Sequence, residues 1–424
     1  MRFDILKNGG CVCTVMEGMM TIEEILKAHG QEHVLEETDK LTAEEKAAFD
    51  AQVNAIDWSV FDILAQKGQE ETRGEFEPLG AVELPEIKAR HDEFYNAGIE
   101  AIKRGEIGAV LLAGGQGTRL GLDGPKGTCE IGLTRSVSIF EQLICNLRKV
   151  TDAAGCIIPL YVMTSEKNND ATKAFFEEKN FFGYPKEDVF FFIQEMAVSV
   201  DYNGKIYKEG PGRLATSPNG NGGWFSSMMK GGALADAKKR GVKWLNVFAV
   251  DNVLQQIADP VFVGATLSGG YDSGAKVVSK ADPYEKVGVL CLEDGRPSIV
   301  EYYDMGKEMA ETLDAEGKLA YRFGVILNYL FSVEKLEDIV ARHMPLHIVE
   351  KKIPYYTAKD GNVAPTEPNG YKFETLVLDM VHMMDNCLSF EVDREKEFAP
   401  IKNLHGVDSL DSARELLQKN GVIL

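Results

Sequence analysis

Apolar and polar positions alternate along this chain with two different periods, and the change between them divides it. Residues 1–104 carry apolar side chains at helical spacing among many acidic ones. "LTAEEKAAFDAQVNAIDWSVFDILAQKG" pairs Thr42 with Glu45 ahead of such a stripe, the arrangement of a capping box. Pro85 is placed to open a further helix reaching about Arg104. From Ile107 the pattern becomes short, nearly all-apolar runs of strand length: "IGAVLLAG", "CIIPLYVMTS", "DVFFFIQ" and "KWLNVFAVDN". Helical stretches at 137–150, 166–180 and 223–239 separate them. Strands apolar on both faces, alternating with helices, predict an α/β fold with a parallel sheet covered on both sides. "VDYNGKIY" interrupts this order with Asn203-Gly204 between alternating residues, which predicts a two-residue hairpin. After residue 270, "AKVVSK", "KVGVLCL" and "PSIVEYY" predict antiparallel additions and a mixed central sheet, with helices recurring at about 333–342, 371–385 and 408–419.

In open α/β sheets ligands sit at the carboxyl ends of the strands. Two features fall there: the loop "LLAGGQGTRLGLDGPKG" after the first apolar strand, and Asp251 after the strand ending "VFAV". The loop is not a dinucleotide fingerprint, because the third glycine arrives one residue late at Gly121. It is not a Walker loop either, because Lys126 follows Pro125, and no kinase H-R-D or D-F-G lies downstream. Its glycines still allow the backbone to approach a ligand closely and turn N–H groups toward anionic oxygens. Arg119 adds a fork of donors and Lys126 a mobile charge, so the loop can hold a nucleoside triphosphate.

Charge sharpens that reading. With 46 basic and 66 acidic residues the 424-residue chain carries a net charge of −20, which opposes general binding to nucleic acid or to an anionic membrane. Any anionic ligand has to be captured by a local cluster of cations and backbone N–H groups. The length fits two or three domains. No window is long and apolar enough to span a membrane, and the opening "MRFDILKNGG" lacks the order of a signal peptide, so a cytoplasmic location is expected. Seven cysteines without a C-x-x-C pair fit reduced thiols. The close pairs His29/His33 and His343/His347 lack the surroundings of a zinc motif.

The glycine loop resembles the UDP-sugar pyrophosphorylases of eukaryotic type, most closely those that make UDP-N-acetylglucosamine. "FFFIQ", "SPNGNGGWF", "FAVDNVLQQIADPVFVG", "EKVGVLCL", "SIVEYY", "KKIPYY", "EPNGYKFETLVLD" and "EFAPIKN" resemble the same family in the same order, so the likeness runs over about 107–403. It implies a Rossmann-like nucleotide-diphospho-sugar transferase fold: an N-terminal helical extension (1–104), a catalytic α/β domain (105–403) and a short helical tail (404–424). The implied reaction joins UTP and a sugar 1-phosphate, with N-acetylglucosamine 1-phosphate the first expectation, and needs magnesium but no covalent intermediate.

By this resemblance the backbone of Leu112, Ala113, Gly114 and Gly115 meets the uridine and α-phosphate. Arg119 and Lys126 neutralise the leaving phosphates, Gln194 and Gly220 read uracil, and Asp251 holds the magnesium ion. Asn221, Gly288 and Glu301 bind the sugar, and Lys372 and Lys402 reach the phosphates. Two departures stand out. Where the family has an asparagine after a glycine, "YRFGVILNY" puts Val325, which cannot hydrogen-bond, while Asn328, three residues on, faces the opposite side of a strand. UDP-glucose and UDP-N-acetylgalactosamine synthesis are therefore alternatives, as is a non-catalytic UDP-sugar-binding protein. The chain also ends at Leu424, short of the β-rich portion of longer members; this is expected to leave the chemistry intact and to bear on oligomer contacts, with monomer and homodimer both open.

Overall fold

The computed structural model describes residues 20–67, 73–342 and 344–424. They divide into two compact units. The larger takes Glu71–Glu195, Pro218–Pro345 and Glu374–Leu424, and the smaller its described residues from Met1–Glu70, Met196–Ser217 and Leu346–Phe373.

The larger unit is built on a ten-stranded mixed sheet. In chain order its strands are β1 (Phe76–Pro78), β2 (Ile107–Leu112), β3 (Leu160–Thr164), β4 (Val189–Ile193), β5 (Trp244–Ala249), β6 (Ser273–Ser279), β7 (Val289–Glu293), β8 (Arg296–Val300), β9 (Phe323–Ser332) and β10 (Leu388–Glu391). The spatial order is β1-β7-β9-β5-β2-β3-β4, with β6 between β9 and β10, and β8 on β7. The four predicted apolar runs form the parallel block β5-β2-β3-β4. The later strands are mostly antiparallel, as their mixed patterning predicts: β9 pairs antiparallel with β5, β6 and β7, and only β6–β10 is parallel. Every residue of β2 and β3 is buried, which is why these strands carry no polar alternation.

Helices cover both faces, packing one apolar cluster around Phe140, Phe176 and Phe262 and a second around Trp224, Phe225 and Phe331. Ser138 caps the helix Ile139–Ala154 by accepting from the Glu141 amide, and Gly155 ends it in the left-handed conformation at φ 68°. Pro85 sits in the first turn of Leu84–Ala89, and a second helix, His91–Lys103, completes the expected stretch. That second helix crosses Pro260–Ser268 at backbone contact, where a Cβ on Gly98 would come within 1.9 Å of the Pro260 carbonyl oxygen.

The smaller unit packs the helices Ile22–Ala28, Ala43–Asn54 and Ser59–Ala65 around Leu26, Phe49, Val53 and Val60. The Thr42/Glu45 capping box forms as predicted. The hairpin at Asn203-Gly204 forms with a different turn. Gly204 donates to the Asp201 carbonyl and Asp201 to the Lys205 carbonyl, and only Gly204, at φ 75°, is left-handed. A two-residue type I′ turn needs both central residues left-handed; one glycine at the end of a three-residue loop gives a bulged turn instead. The predicted helix at 371–385 begins later: Gly370–Glu374 is a strand paired with Val200–Asp201, and the helix runs Val377–Met383. "GYKFE" carries the period of two that a strand requires. His343 and the cysteines at 11 and 13 lie outside the described residues. Among the described residues no helix is long and apolar enough to cross a membrane.

Candidate active site

The parallel register of β2 and β5 sets Leu112 opposite Ala249, so the glycine loop and Asp251 leave the sheet side by side. The Val250 amide donates to the Leu112 carbonyl at 3.2 Å, and the Ala113 amide donates to Met163 at 2.8 Å. Past that point the loop is held by its own hydrogen bonds: Gly117 N–H to the Gly124 carbonyl (2.9 Å) and Lys126 N–H to the Gly115 carbonyl (3.1 Å). Asn168 Nδ2, fully buried, donates to the Ala113 carbonyl at 2.9 Å. The 3₁₀ turn Thr118–Leu120 buries Leu120 and leaves Arg119 exposed.

Lys126 opens a second 3₁₀ turn that brings its Nζ to 3.7 Å from Asp251 Oδ2. Burial holds the Lys126 ammonium below the ordinary lysine value; Asp251 works against that shift, while Arg119 and Lys402 add to it. Lys126 therefore feels two further cations besides the carboxylate next to it.

Gln194, at the end of β4, is buried, and its side-chain amide donates to the Gly220 carbonyl at 2.7 Å. Gly114 lies against the other half of that amide, since a Cβ there would stand 3.0 Å from Gln194 Oε1. Gly220 has φ +85°, and a Cβ on it would come within 2.2 Å of the Thr375 carbonyl oxygen, so no other residue fits without displacing backbone. Next to it, Asn221 Oδ1 accepts from the Val377 amide at 3.0 Å.

A cavity of about 220 Å³ opens beside these groups, and Asn221, Asp251, Gly288, Glu301, Val325 and Lys402 all line it. Gly288 precedes β7 and Glu301 follows β8, its antiparallel partner, with Glu301 Oε1 3.5 Å from where a Gly288 Cβ would be. Burial raises the Glu301 carboxyl above the ordinary carboxylate value, Asp304 adds to the rise, and Lys402 opposes it. Val287, Ile299, Val325 and Leu327 make this end of the cavity apolar. Asn328 turns away, as expected: it is fully buried on the far side and donates to the Gln256 carbonyl at 3.2 Å. Lys402 lines the cavity with its ammonium 2.9 Å from Asp408 Oδ2.

Of the residues singled out from the sequence, all but one belong to the larger unit. Lys372 lies on the strand Gly370–Glu374, in the part of the chain assigned to the smaller unit. Three residues of the site were not legible. Lys286 and Asn252 line the cavity, and Asn168 props the glycine loop. Lys286 begins the quoted motif "KVGVLCL" and Asn252 follows Asp251, so adjacency to a motif was the available signal. Asn168 had none.

Three comparisons with known proteins agree with this architecture. Residues 86–420 match the family described as UTP–glucose-1-phosphate uridylyltransferase, and the chain belongs to that family. It is 36% identical over 398 residues to the UDP-N-acetylglucosamine pyrophosphorylase of Saccharomyces cerevisiae, covering 90% of this chain and 82% of that one. It is 35% identical over 419 residues to the human UDP-N-acetylhexosamine pyrophosphorylase-like protein 1, covering 93% and 82%. Among solved structures, the uridine diphosphate N-acetylglucosamine pyrophosphorylase from Trypanosoma brucei superimposes with a TM-score of 0.82 at 28% identity, covering 95% of this chain and 85% of that one.

Proposed function

We propose that the protein is a uridylyltransferase that makes UDP-N-acetylglucosamine and pyrophosphate from UTP and N-acetylglucosamine 1-phosphate. The observation that carries the reading is one cavity lined by Asp251, Lys402, Gly288 and Glu301, with the Lys126 ammonium 3.7 Å from the Asp251 carboxylate. A phosphate oxygen of the sugar 1-phosphate forms a bond to the α-phosphorus of UTP, and the bond from that phosphorus to the bridging oxygen breaks, releasing pyrophosphate. Two anions must meet in line, so the chain's contribution is positioning and charge neutralisation.

In this reading Leu112, Ala113, Gly114 and Gly115 carry the nucleotide close to the loop backbone. Gln194 and Gly220, already joined by a hydrogen bond, offer uncharged donor and acceptor groups to uracil. Arg119 and Lys126 neutralise the departing phosphates, and Lys402 reaches the phosphates from the later part of the chain. Asn221 and Glu301 hold sugar hydroxyls beside Gly288. Among the described residues no group of three or more His, Cys, Asp and Glu gathers around Asp251. One accessible carboxylate suits magnesium, which takes one or two carboxylates and completes its shell with water and substrate phosphate oxygens. Bound there, the ion supplies positive charge to the phosphates and a template for their alignment. The five described cysteines are unpaired, which suits the reducing cytoplasm.

The test is pyrophosphate release from UTP, magnesium and a panel of hexose and N-acetylhexosamine 1-phosphates. N-Acetylglucosamine 1-phosphate is expected to give the highest kcat/KM, and silence across the panel would overturn the reading. Val325 supports one rival: at that position the cavity presents no hydrogen-bonding side chain, so a UDP-glucose or UDP-N-acetylgalactosamine pyrophosphorylase is the second reading, separated by the same panel.

A further inference from the structure

Behind Asp251 lies a charge cluster that none of the proposed roles uses. The Lys276 ammonium, fully buried on β6, is 2.9 Å from Asp259 Oδ2 and 2.6 Å from Glu397 Oε2, with side-chain exposures of 0%, 8% and 7%. Burial opposes the charge on Lys276, yet the two carboxylates keep its proton affinity above the ordinary lysine value. Glu397 Oε2 also accepts from the Gln256 amide. Such a group is costly to bury unless every member is satisfied, and here it fixes the segment 397–402 against β6.

That segment is joined to the residues after β5 by a short ladder. Asn252, 2% exposed, donates from Nδ2 to the Glu397 carbonyl at 2.8 Å and accepts on Oδ1 from the Ala399 amide at 2.9 Å. The Ile401 amide donates to the Asp251 carbonyl at 2.9 Å, and Asn252 bridges Pro400 in antiparallel fashion. The residue carrying the carboxylate of the site and the segment carrying Lys402 are thus joined twice, by the backbone bond at Ile401 and by the side chain of Asn252, whose partner Glu397 lies 145 residues on in sequence. The Asn252 side chain grips two backbone groups of the 397–399 segment at once, and so fixes that segment's spacing from the residues after β5.

We propose that Asn252, backed by the buried Lys276–Glu397–Asp259 cluster, is a positioning residue that holds Asp251 and Lys402 in one frame. It touches no reacting atom; it sets where the carboxylate and the ammonium stand relative to each other. The proposal rests on the uridylyltransferase reading for its consequence and on the hydrogen bonds alone for its structure.

The test uses the full-length protein with Asn252→Ala, and Tyr184→Phe as a control. Tyr184→Phe also removes a buried hydrogen bond, to the Ile158 carbonyl, but in the parallel half of the sheet. Amide exchange is expected to accelerate at least tenfold at Ala399 and Ile401 in Asn252→Ala and to stay unchanged there in Tyr184→Phe. Calorimetric titration of Mn²⁺ into protein with saturating UTP is expected to give a Kd raised about tenfold in Asn252→Ala alone, with kcat lowered more than KM. Glu397→Gln, which keeps the shape and removes one charge, is expected to move the same amides less. Unchanged exchange at Ala399 and Ile401, or an Mn²⁺ affinity equal to the control's, would overturn the proposal. A wild-type protein that is inactive on every sugar 1-phosphate would sink the uridylyltransferase reading instead, while the exchange and Mn²⁺ measurements would still decide the clamp.

Discussion

The site draws its residues from two different halves of the same sheet. The parallel strands β2 and β5 deliver the glycine loop and Asp251 in register, and the groups gathered there are charged: Lys126 beside Asp251, with Arg119 and Lys402 near enough to be felt. The antiparallel strands deliver Gly288, Glu301 and Val325 among apolar neighbours, with Lys286 beside them and Lys402 acting on the Glu301 carboxyl as well. In the proposed reading the parallel half neutralises phosphate and the antiparallel half discriminates between sugars, so catalytic power and substrate choice fall to separate strands.

That separation can be broken most severely at Asp251. Asp251→Ala is expected to lower kcat about 10³-fold, by the same factor for every sugar 1-phosphate, with the melting temperature nearly unchanged. Pyrophosphate release across the sugar panel checks it, and a loss that depended on the sugar would merge the two halves.

Glu301→Gln comes next. Removing a charged hydrogen-bond acceptor costs about 1.5–3 kcal/mol, so KM for the sugar 1-phosphate should rise about 10- to 100-fold while KM for UTP holds. The wild-type acid limb carries the same information. Burial raises the proton affinity of Glu301, so its carboxylate is lost as pH falls through a value above the ordinary carboxylate range. In a plot of sugar kcat/KM against pH this limb should vanish in Glu301→Gln.

Val325→Asn sharpens the comparison. It restores a hydrogen-bonding side chain to the apolar wall and should change the ratio of kcat/KM between N-acetylglucosamine and glucose 1-phosphates about fivefold, with UTP kinetics untouched. The smallest effect lies in the parallel half and shows only with pH. Because burial lowers the proton affinity of Lys126, its charge is lost as pH rises through a value below that of an ordinary lysine. UTP-dependent kcat/KM should fall there, and Lys126→Arg, whose guanidinium stays protonated, should move that alkaline limb upward.

The same two halves were unequally legible in the sequence. The parallel block announces itself because burial on both faces removes polar alternation, and because a glycine loop and an aspartate at strand ends are local patterns. The antiparallel half required the family's motif order to find Gly288 and Glu301. What no local pattern carries is pairing across long separations. Asn168 supporting Ala113, Asn252 tied to the backbone of Glu397 and Ala399, and Asp408 holding Lys402 are contacts between side chains and distant backbone or late loops. The same holds for the smaller unit, which collects Met196–Ser217 and Leu346–Phe373 together with N-terminal helices. Locally, the strand Gly370–Glu374 was hidden by the helix that follows it three residues on.

Lys402 already has a counter-ion of its own in Asp408, and Lys126 stands beside Asp251. In the proposed reading a bare Lys402 ammonium would grip pyrophosphate after it is severed from the nucleotide, and the carboxylate beside it weakens that hold. Replacing Asp408 with a neutral residue is therefore expected to tighten pyrophosphate inhibition rather than relieve it.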